Sequence, residues 1–535
     1  MRSRSRVVVD SKRARRAGLI ALVLLALDLS ACGSRTALEP GAAAHAKAVA
    51  GSGGGSGDNG GTNRGGTSGA NRGGGHASNG GAVSTPATGG TPTGDGTAGE
   101  TSSAGDSNAG AGGMPSEPLP ISVTQLAVGS AHACALFSNG SVKCWGSGFR
   151  GELGYGNQNN VGDDELLSSI PAVSLTTAPD VVAVALAAGD RHTCAILSDG
   201  TVKCWGANYN GQLGYGHTRN IGDNELPSSV DPVSITTTPG LKPVALAAKL
   251  DHTCALLSDG SVKCWGANRD GQLGYGNTTN IGDDELPSSV GPVSITTTPG
   301  VTTVALSASY GHVCALLSDN TVRCWGEAGL GSLGYGNADD IGDDELPSSV
   351  GALSLTTTPG VKVVGITGGD FHNCAWFSDG SARCWGFNNR GQLGYGNTAD
   401  IGDDELPSSV GPLAITSSPG VTVIGMAAAI YHTCALLSDG SVKCWGYNDQ
   451  GALGYPGAGT IGDNELPSTI APVSVTTTPG LTVTRIAAGG DNTCVILSNG
   501  SAKCWGYNGL GELAHANKEN IGDNEAPSSI GPIVF

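Results

Sequence analysis

From about residue 120 to the end of the chain, apolar and polar positions recur with a period of 60 residues. The third copy shows the unit most clearly. An apolar stretch at 244–248 (VALAA) is followed, after a short polar break, by a second run at 252–257 (HTCALL). Ser258-Asp259-Gly260 then interrupts the pattern, and a third run follows at 262–265 (VKCW). A long connection, GANRDGQLGYGNTTNIGDDELPSSV, leads to a fourth run at 292–296 (PVSIT), and TTPG leads into the next copy. Runs of four to six residues bounded by Gly, Asp and Ser read as strands, and Ser-Asp-Gly as a turn whose glycine takes a positive φ. A fixed period of this size signals one supersecondary unit repeated. Four short strands per unit with glycine-rich turns fit a propeller blade. The expected fold is all-β: a seven-bladed β-propeller of four short antiparallel strands per blade, spanning residues 119–535. Closing the ring hides strand edges that would otherwise invite pairing with other chains.

Each unit carries two cysteines ten positions apart. The pairs are Cys134 and Cys144, Cys194 and Cys204, Cys254 and Cys264, Cys314 and Cys324, Cys374 and Cys384, Cys434 and Cys444, and Cys494 and Cys504. With a three-residue loop at 258–260, Cys254 faces Cys264 and Leu256 faces Val262. Opposed residues at a non-hydrogen-bonded pair have Cα atoms about 4.5 Å apart, within the reach of a disulfide. A cross-strand bridge in every blade is therefore expected, each contributing about 2–3 kcal/mol through its short closed loop.

These pairs use 14 of the 15 cysteines and leave Cys32. Residues 1–16 are basic (Arg2, Arg4, Arg6, Lys12, Arg13, Arg15, Arg16). Residues 18–29 (GLIALVLLALDL) form an apolar run too short for a comfortable membrane span. Leu29-Ser30-Ala31-Cys32 follows. This layout reads as a secretory signal peptide over 1–31. Its ending resembles a bacterial lipoprotein signal, which implies lipidation of Cys32; ordinary secretion with cleavage after alanine is the alternative. Export implies an oxidising compartment, in keeping with paired cysteines. The expected location is the cell envelope, lipid-anchored, on the periplasmic or surface face of a bacterial membrane. Residues 32–118 are rich in Gly, Ser, Thr and Asn and offer almost nothing to bury, so a flexible tether is expected.

The formal net charge is −18, and without residues 1–31 (net +5) the remainder is near −23. Such a chain repels nucleic acid and anionic lipid, so no nucleic-acid partner is expected, and membrane contact only through the lipid.

The run HTCALLSDGSVKCWGANRDGQLGYG at 252–276 resembles the regulator of chromosome condensation repeat family. Its His-Thr, Ala-Leu, Asp-Gly, Trp-Gly and Gly-Gln-Leu-Gly marks recur from about residue 121 to 535. The resemblance implies a seven-bladed propeller, often closed by strands from both chain ends; here 121–127 and 531–535 are the segments available. The family's founder exchanges nucleotide on a small GTPase through a basic propeller, and another relative is a secreted inhibitor of β-lactamases. This chain is acidic, reads as exported, and adds a cysteine pair to each repeat, so guanine-nucleotide exchange is disfavoured.

Other chemistry is thinly supported. His192, Cys194 and Cys204 resemble a partial zinc set, but no fourth ligand is evident, and the seventh unit has Asn492 at the histidine position. A structural hydrogen bond at the strand entrance is the expected role of this histidine. The acidic motif IGD[DN]E recurs in every unit, from Asp163 and Glu165 through Asp523 and Glu525. One such pair gives too few oxygens for calcium, and capping of a turn with bonding of loop amides is expected instead. No nucleophile–base set, phosphate loop, metal site or cofactor is identified, and no enzymatic activity is expected.

The copies differ mainly at two places: the break between the first two strands, and the residues after Trp-Gly. In an antiparallel meander both lie at one end of the blade. Phe149, Arg150, Arg191, Tyr209, Tyr310, Phe371, Phe387, Arg390, Tyr431, Tyr447 and Tyr507 should thus gather on one face of the ring. Aromatic residues and arginine are favoured at interface hot spots. The expected function is a monomeric cell-envelope lipoprotein whose propeller binds a protein through this face. Recognition of carbohydrate or cell wall is the alternative, since exposed aromatics with Asn and Asp suit sugars as well.

Overall fold

The computed structural model describes residues 121–535. The expected signal peptide over 1–31, Cys32 and the expected tether over 32–118 lie outside the described residues. The described chain contains seven antiparallel sheets, each made of three strands consecutive in sequence. In blade 1 they are Val123–Val128, His132–Phe137 and Val142–Gly146; in blade 3, Pro243–Lys249, His252–Leu257 and Val262–Gly266; in blade 7, Val483–Gly489, Asn492–Leu497 and Ala502–Gly506. The first strand of each blade contacts the first strands of both neighbours, so these seven strands form the inner wall of a closed ring. The middle strands are buried throughout in six blades, and in blade 5 in all but one residue.

The hairpin register is the one read from the sequence. Cys254 faces Cys264 and Leu256 faces Val262 around the loop 258–260. The two sulfurs of this pair are joined. So are those of Cys134 and Cys144, Cys194 and Cys204, and Cys314 and Cys324. Cys374 and Cys384, Cys434 and Cys444, and Cys494 and Cys504 complete the set. The Cα–Cα separations are 4.0–4.1 Å, a little closer than the spacing expected for an opposed pair. All fourteen cysteines are buried, so each bridge sits inside the blade between its middle and outer strands and offers nothing to a partner.

The fourth strand is a correction. Residues 292–296 run alongside the outer strand but make only one backbone bond to it, Val293 N–H to Val262 O at 2.8 Å. The outer edge is shared among three elements. The Tyr275 hydroxyl accepts from Cys264 N–H (3.1 Å) and donates to Cys264 O (3.3 Å). Ile281 exchanges both backbone bonds with Gly266. A tyrosine hydroxyl accepts from the backbone N–H of the second cysteine in blades 1 to 5, at Cys144, Cys204, Cys264, Cys324 and Cys384, and donates to the same residue's carbonyl in blades 1, 2, 3 and 5. With that rung taken, the return segment cannot extend the ladder, although Val293 and Ile295 still bury against it.

Ring closure is also simpler than the resemblance implied. Residues 123–128 form the inner strand of blade 1, and the last return segment bonds within blade 7 through Ile533 N–H to Ala502 O at 2.9 Å. Among the described residues no sheet mixes the two chain ends. The seam between blades 7 and 1 repeats the bonds of the other junctions: Val123 N–H to Gly500 O (2.9 Å) matches Ala183 N–H to Gly140 O (3.1 Å). Phe535 adds edge contacts to Phe137 and Trp145 across the seam.

Two features join neighbouring blades. Every Trp-Gly tryptophan is fully buried and donates its Nε1–H to a backbone carbonyl of the preceding blade: Trp205 to Glu152 O at 2.9 Å, and Trp145 to Glu512 O at 2.8 Å across the seam. The acidic loop of one blade also packs on the Gly-Gln-Leu-Gly loop of the blade before it. A Cβ on Gly222 would lie 2.4 Å from Gly151 O, and one on Gly151 would lie 2.3 Å from Asp223 N. Both glycines also have positive φ, so only glycine fits either position.

Removing the indole N–H leaves the accepting carbonyl short of a donor, and the blades differ in what remains. Glu152 O also accepts from Thr193 Oγ1, whereas blade 1 has Ala133 at the threonine position, so Trp145 Nε1 is the side-chain donor to Glu512 O. Trp145→Phe should cost more than Trp205→Phe, by about 1–2 kcal/mol, because only the former orphans a buried carbonyl. Denaturant unfolding of the two variants checks this ordering.

Candidate functional site

The breaks between inner and middle strands converge at one end of the ring, and their backbones link blade to blade. Ser130 N–H donates to Asp190 O (3.3 Å), Tyr310 N–H to Asp370 O (3.1 Å) and Asp370 N–H to Ala429 O (3.3 Å). Just below lies a belt of histidines that open the middle strands. Because Thr193 Oγ1 donates to Glu152 O, His132 Nε2–H donates to Thr193 Oγ1 (2.8 Å). His192–Thr253, His372–Thr433 and His432–Thr493 repeat the contact at 2.8–2.9 Å. In blade 5 Asn373 replaces the threonine and donates Nδ2–H to both His312 Nε2 and Ser332 O, each at 2.8 Å. Blade 4 has Val313 there, and His252 finds no side-chain partner. These histidines thus have the structural role expected from the sequence, but their partners lie on the next blade.

The inner strands differ at one residue to which the sequence assigned no role. Six of the seven blades carry a small residue at the last inner-strand position: Gly129, Gly189, Ser309, Gly369, Ala429 and Gly489. Blade 3 carries Lys249. Its ammonium crosses the axis to Asp370 of blade 5 at 2.8 Å, with both side chains buried (0% and 1% exposed). Burial lowers the lysine's pKa, opposed by the charges of Asp370 and Asp190. Burial raises that of Asp370, opposed by Lys249. Half-buried Asp491 is pushed up to about 6 by desolvation and by the charges of Asp370 and Asp449. The signal was visible in the sequence as one long side chain in a column of glycine, serine and alanine. Its meaning needs the ring, which brings residues 121 positions apart face to face.

Most of the expected face residues meet in three groups. Arg150 lies between Phe149 and Tyr209, 4.8 and 5.2 Å from their ring centroids, joining blades 1 and 2. Tyr310 packs on Phe371 at 5.0 Å, joining blades 4 and 5. Arg390 lies over Tyr447 at 5.1 Å, and Tyr447 meets Tyr431 edge-on at 6.2 Å, joining blades 5 and 6. Phe149 (61% exposed) and Tyr209 (48%) project furthest. Phe387 is a correction: it is 3% exposed and packs edge-on beneath Phe371, so it supports this surface and does not display itself. Arg191 is exposed and stands by Asp251, which also accepts from Asn210 Nδ2 (3.0 Å) and Gln212 Nε2 (2.7 Å). Tyr507, half-buried, belongs to none of the three groups and folds over its own loop at Gly509.

The acidic loops lie elsewhere, where neighbouring blades stack. Carboxylate oxygens of Asp163, Asp164 and Glu165 fall within 4.8 Å of one another, as do those in blades 3, 4 and 5. Glu165 accepts from Asp164 N–H (3.3 Å), and Glu465 from Gly462 N–H (3.4 Å), the amide-bonding role expected for the motif.

A family model of the RCC1-like domain matches residues 156–533, and one of the regulator of chromosome condensation (RCC1) repeat matches residues 123–152. The chain belongs to the RCC1-like domain family. Its curated relatives include the ultraviolet-B receptor UVR8 of Arabidopsis thaliana, 29% identical over 354 residues, covering 66% of this chain and 71% of the receptor. The human E3 ubiquitin-protein ligase HERC2 is 28% identical over 371 residues, 69% of this chain but only 7% of the ligase. Among solved structures, yeast RCC1 (Prp20) bound to Kap60 superposes with a TM-score of 0.55 at 22% identity, covering 78% of this chain and 86% of that one. Prp20p from Saccharomyces cerevisiae gives 0.54 at 24%, covering 78% and 88%. At these identities the structures establish the RCC1-like propeller fold alone.

Two outcomes follow. Lys249→Met leaves Asp370 buried without its partner and should cost about 3–5 kcal/mol at neutral pH, while adding Asp370→Leu should recover most of the loss; chemical denaturation of both variants measures this. Burial lowers the pKa of His432 from 6.5 to about 3. The unfolded chain therefore binds a proton there that the folded chain refuses, and stability falls as pH drops below 6.5. His432→Asn, which copies Asn492 of blade 7, should reduce proton uptake on unfolding at pH 5 by about one, read by calorimetry in buffers of different ionisation heat.

Proposed function

We propose that this chain is a protein-binding module that uses the end of the ring bearing Arg150, Tyr209, Tyr310, Phe371 and Tyr431. The observation that carries this reading is the set of arginines and aromatics stacked across blade boundaries at one end. A guanidinium held on aromatic rings is partly fixed before a partner arrives, which lowers the entropy lost on binding. The relatives support a binding role: one is a receptor by name, and yeast RCC1 was crystallised with Kap60. A catalytic role has little to draw on here. The repeat cysteines are tied in pairs, and the belt histidines are buried with their pKa values lowered to about 3–4.

The finer reading places the module on a bacterial cell envelope, held by a lipid on Cys32 through the tether 32–118. It rests on the sequence of residues 1–32 and on the oxidised state that seven buried cysteine pairs require. The inner strand of blade 1 starts at the hairpin end of the ring, opposite the proposed binding surface.

The test captures partners from envelope extract on the oxidised full chain, with a variant combining Tyr310→Ala, Phe371→Ala and Tyr431→Ala in parallel. A protein retained by the native chain and reduced at least about tenfold by the variant is the expected result. Equal retention by both would place binding elsewhere on the ring. Retention of glycan without protein would replace the reading with carbohydrate recognition.

A further inference from the structure

The opposite end of the ring is not uniform either. Each inner strand opens with a bulge that leaves one residue out of register. In blades 2 to 6 that residue is Val184, Val244, Val304, Val364 or Ile424, and each is 41–54% exposed. In blades 7 and 1, adjacent across the seam, it is Thr484 and Thr124, whose hydroxyls donate to Ile496 O and Leu136 O at 3.1 Å. The bulge therefore accepts threonine, and nothing in the fold requires an exposed β-branched hydrocarbon at this position.

The hairpin tips beside these bulges change in the same five blades. Blades 2 to 6 carry Asp199, Asp259, Asp319, Asp379 and Asp439, all exposed. Blades 1 and 7 carry Asn139 and Asn499. Asp199 Oδ1 accepts from Thr201 N–H (2.9 Å) and its hydroxyl (2.7 Å); Asn139 Oδ1 accepts the same two bonds from Ser141 at 3.0 and 2.7 Å. The turn needs the oxygen and not the charge. Ser261 and Ser381 hydrogen bonds hold the Asp259 and Asp379 carboxyls below their ordinary range, so they stay ionised. Lys242 and Lys362 lie exposed at this end too, Lys242 donating to Asp199 O at 2.7 Å, so the exposed aspartates outnumber the exposed lysines. The outer-strand cations Lys203 and Arg383 act on Asp199 and Asp379 from buried positions, so they do not face a partner.

We propose that blades 2 to 6 form a second docking surface, at the hairpin end, for a basic amphipathic segment of a partner protein. The segment's apolar side chains cover the crescent of valines and isoleucine on the inner strands, and its lysines or arginines meet the aspartates of the hairpin tips. Charge complementarity selects this occupant. An acidic segment or an anionic lipid surface is repelled, and a purely polar segment leaves five exposed hydrocarbons uncovered. Two changes independent of each other, and neither required by the local fold, coincide in the same five consecutive blades. The chain enters the ring at blade 1, beside the gap in the crescent.

The test uses the oxidised full chain and a synthetic Leu/Lys peptide of about 15 residues with leucines at helical i, i+3, i+4 spacing. Two controls run beside it: a Leu/Glu peptide of the same spacing and a Gly/Ser/Lys peptide of the same charge. Fluorescence anisotropy should show binding of the Leu/Lys peptide alone. One variant combines Val244→Thr, Val304→Thr and Val364→Thr; the other combines Asp259→Asn, Asp319→Asn and Asp379→Asn. Each should weaken binding about tenfold or more, equivalent to about 1.4 kcal/mol. Both variants install residues that blades 1 and 7 already carry, so their melting temperatures should match the parent. The variant with Tyr310→Ala, Phe371→Ala and Tyr431→Ala should bind the peptide normally, which separates this surface from the one proposed above. Equal binding of the Leu/Lys and Gly/Ser/Lys peptides, no effect of the threonine variant, or no peptide binding at all would overturn the proposal. Binding of phosphatidylglycerol vesicles in place of the peptide would overturn it as well.

Discussion

The structure depends on one hydrogen bond made seven times. Each blade buries a tryptophan against the blade before it, and the indole N–H can be satisfied only by that blade's carbonyl. A three-stranded sheet cannot bury this face alone, so the fold gains stability mainly through its junctions. The seventh junction, Trp145 to Glu512, joins residues 367 positions apart and uses the same geometry as the other six. Among the described residues no strand is exchanged between the chain ends, and the seam is held by the same tryptophan bond as the other junctions. The disulfides act on a different link, holding the middle and outer strands of each blade together.

With the scaffold fixed by repetition, departures from repetition carry the information. The belt shows how closely they are coupled. Where the next blade keeps threonine or asparagine, the histidine is paired; where it has Val313, His252 is left without a side-chain partner; and before Ala133 the histidine itself has become Asn492. Lys249 is the largest departure. One cation in a column of small residues ties blade 3 to blade 5 past the blade between them. The two ends of the ring then differ in kind. One displays aromatics and arginines stacked across blade boundaries. The other displays hydrocarbon and carboxylate on five blades of seven.

Much of this was legible in the chain. The period of 60, the hairpin register and the cysteine pairing follow from spacing, since a three-residue loop fixes which residues face each other. The pairing from Cys134 with Cys144 through Cys494 with Cys504 needed no knowledge of the ring, because both sulfurs lie in one hairpin. The variable positions were read to one end because antiparallel strands alternate direction. Phe387 was misplaced because sequence shows that a position varies and not how deep it lies. The fourth strand was overestimated for a related reason. Its alternating apolar residues do bury, but the ladder rung they needed is held by a tyrosine hydroxyl eleven residues beyond the cysteine.

The sequence by itself determined the repeat, the number of blades and the pairing inside each blade, because those contacts lie within one unit and depend on local spacing. Tertiary structure alone decided what joins the blades: the carbonyl for each tryptophan, the hydroxyl or amide that meets five of the six belt histidines, the aspartate for Lys249 and the blade boundaries bridged by Arg150 and Arg390. These partners lie in different copies of a nearly uniform repeat. Their identity depends on closure of the ring, a constraint on the whole chain that no single unit contains.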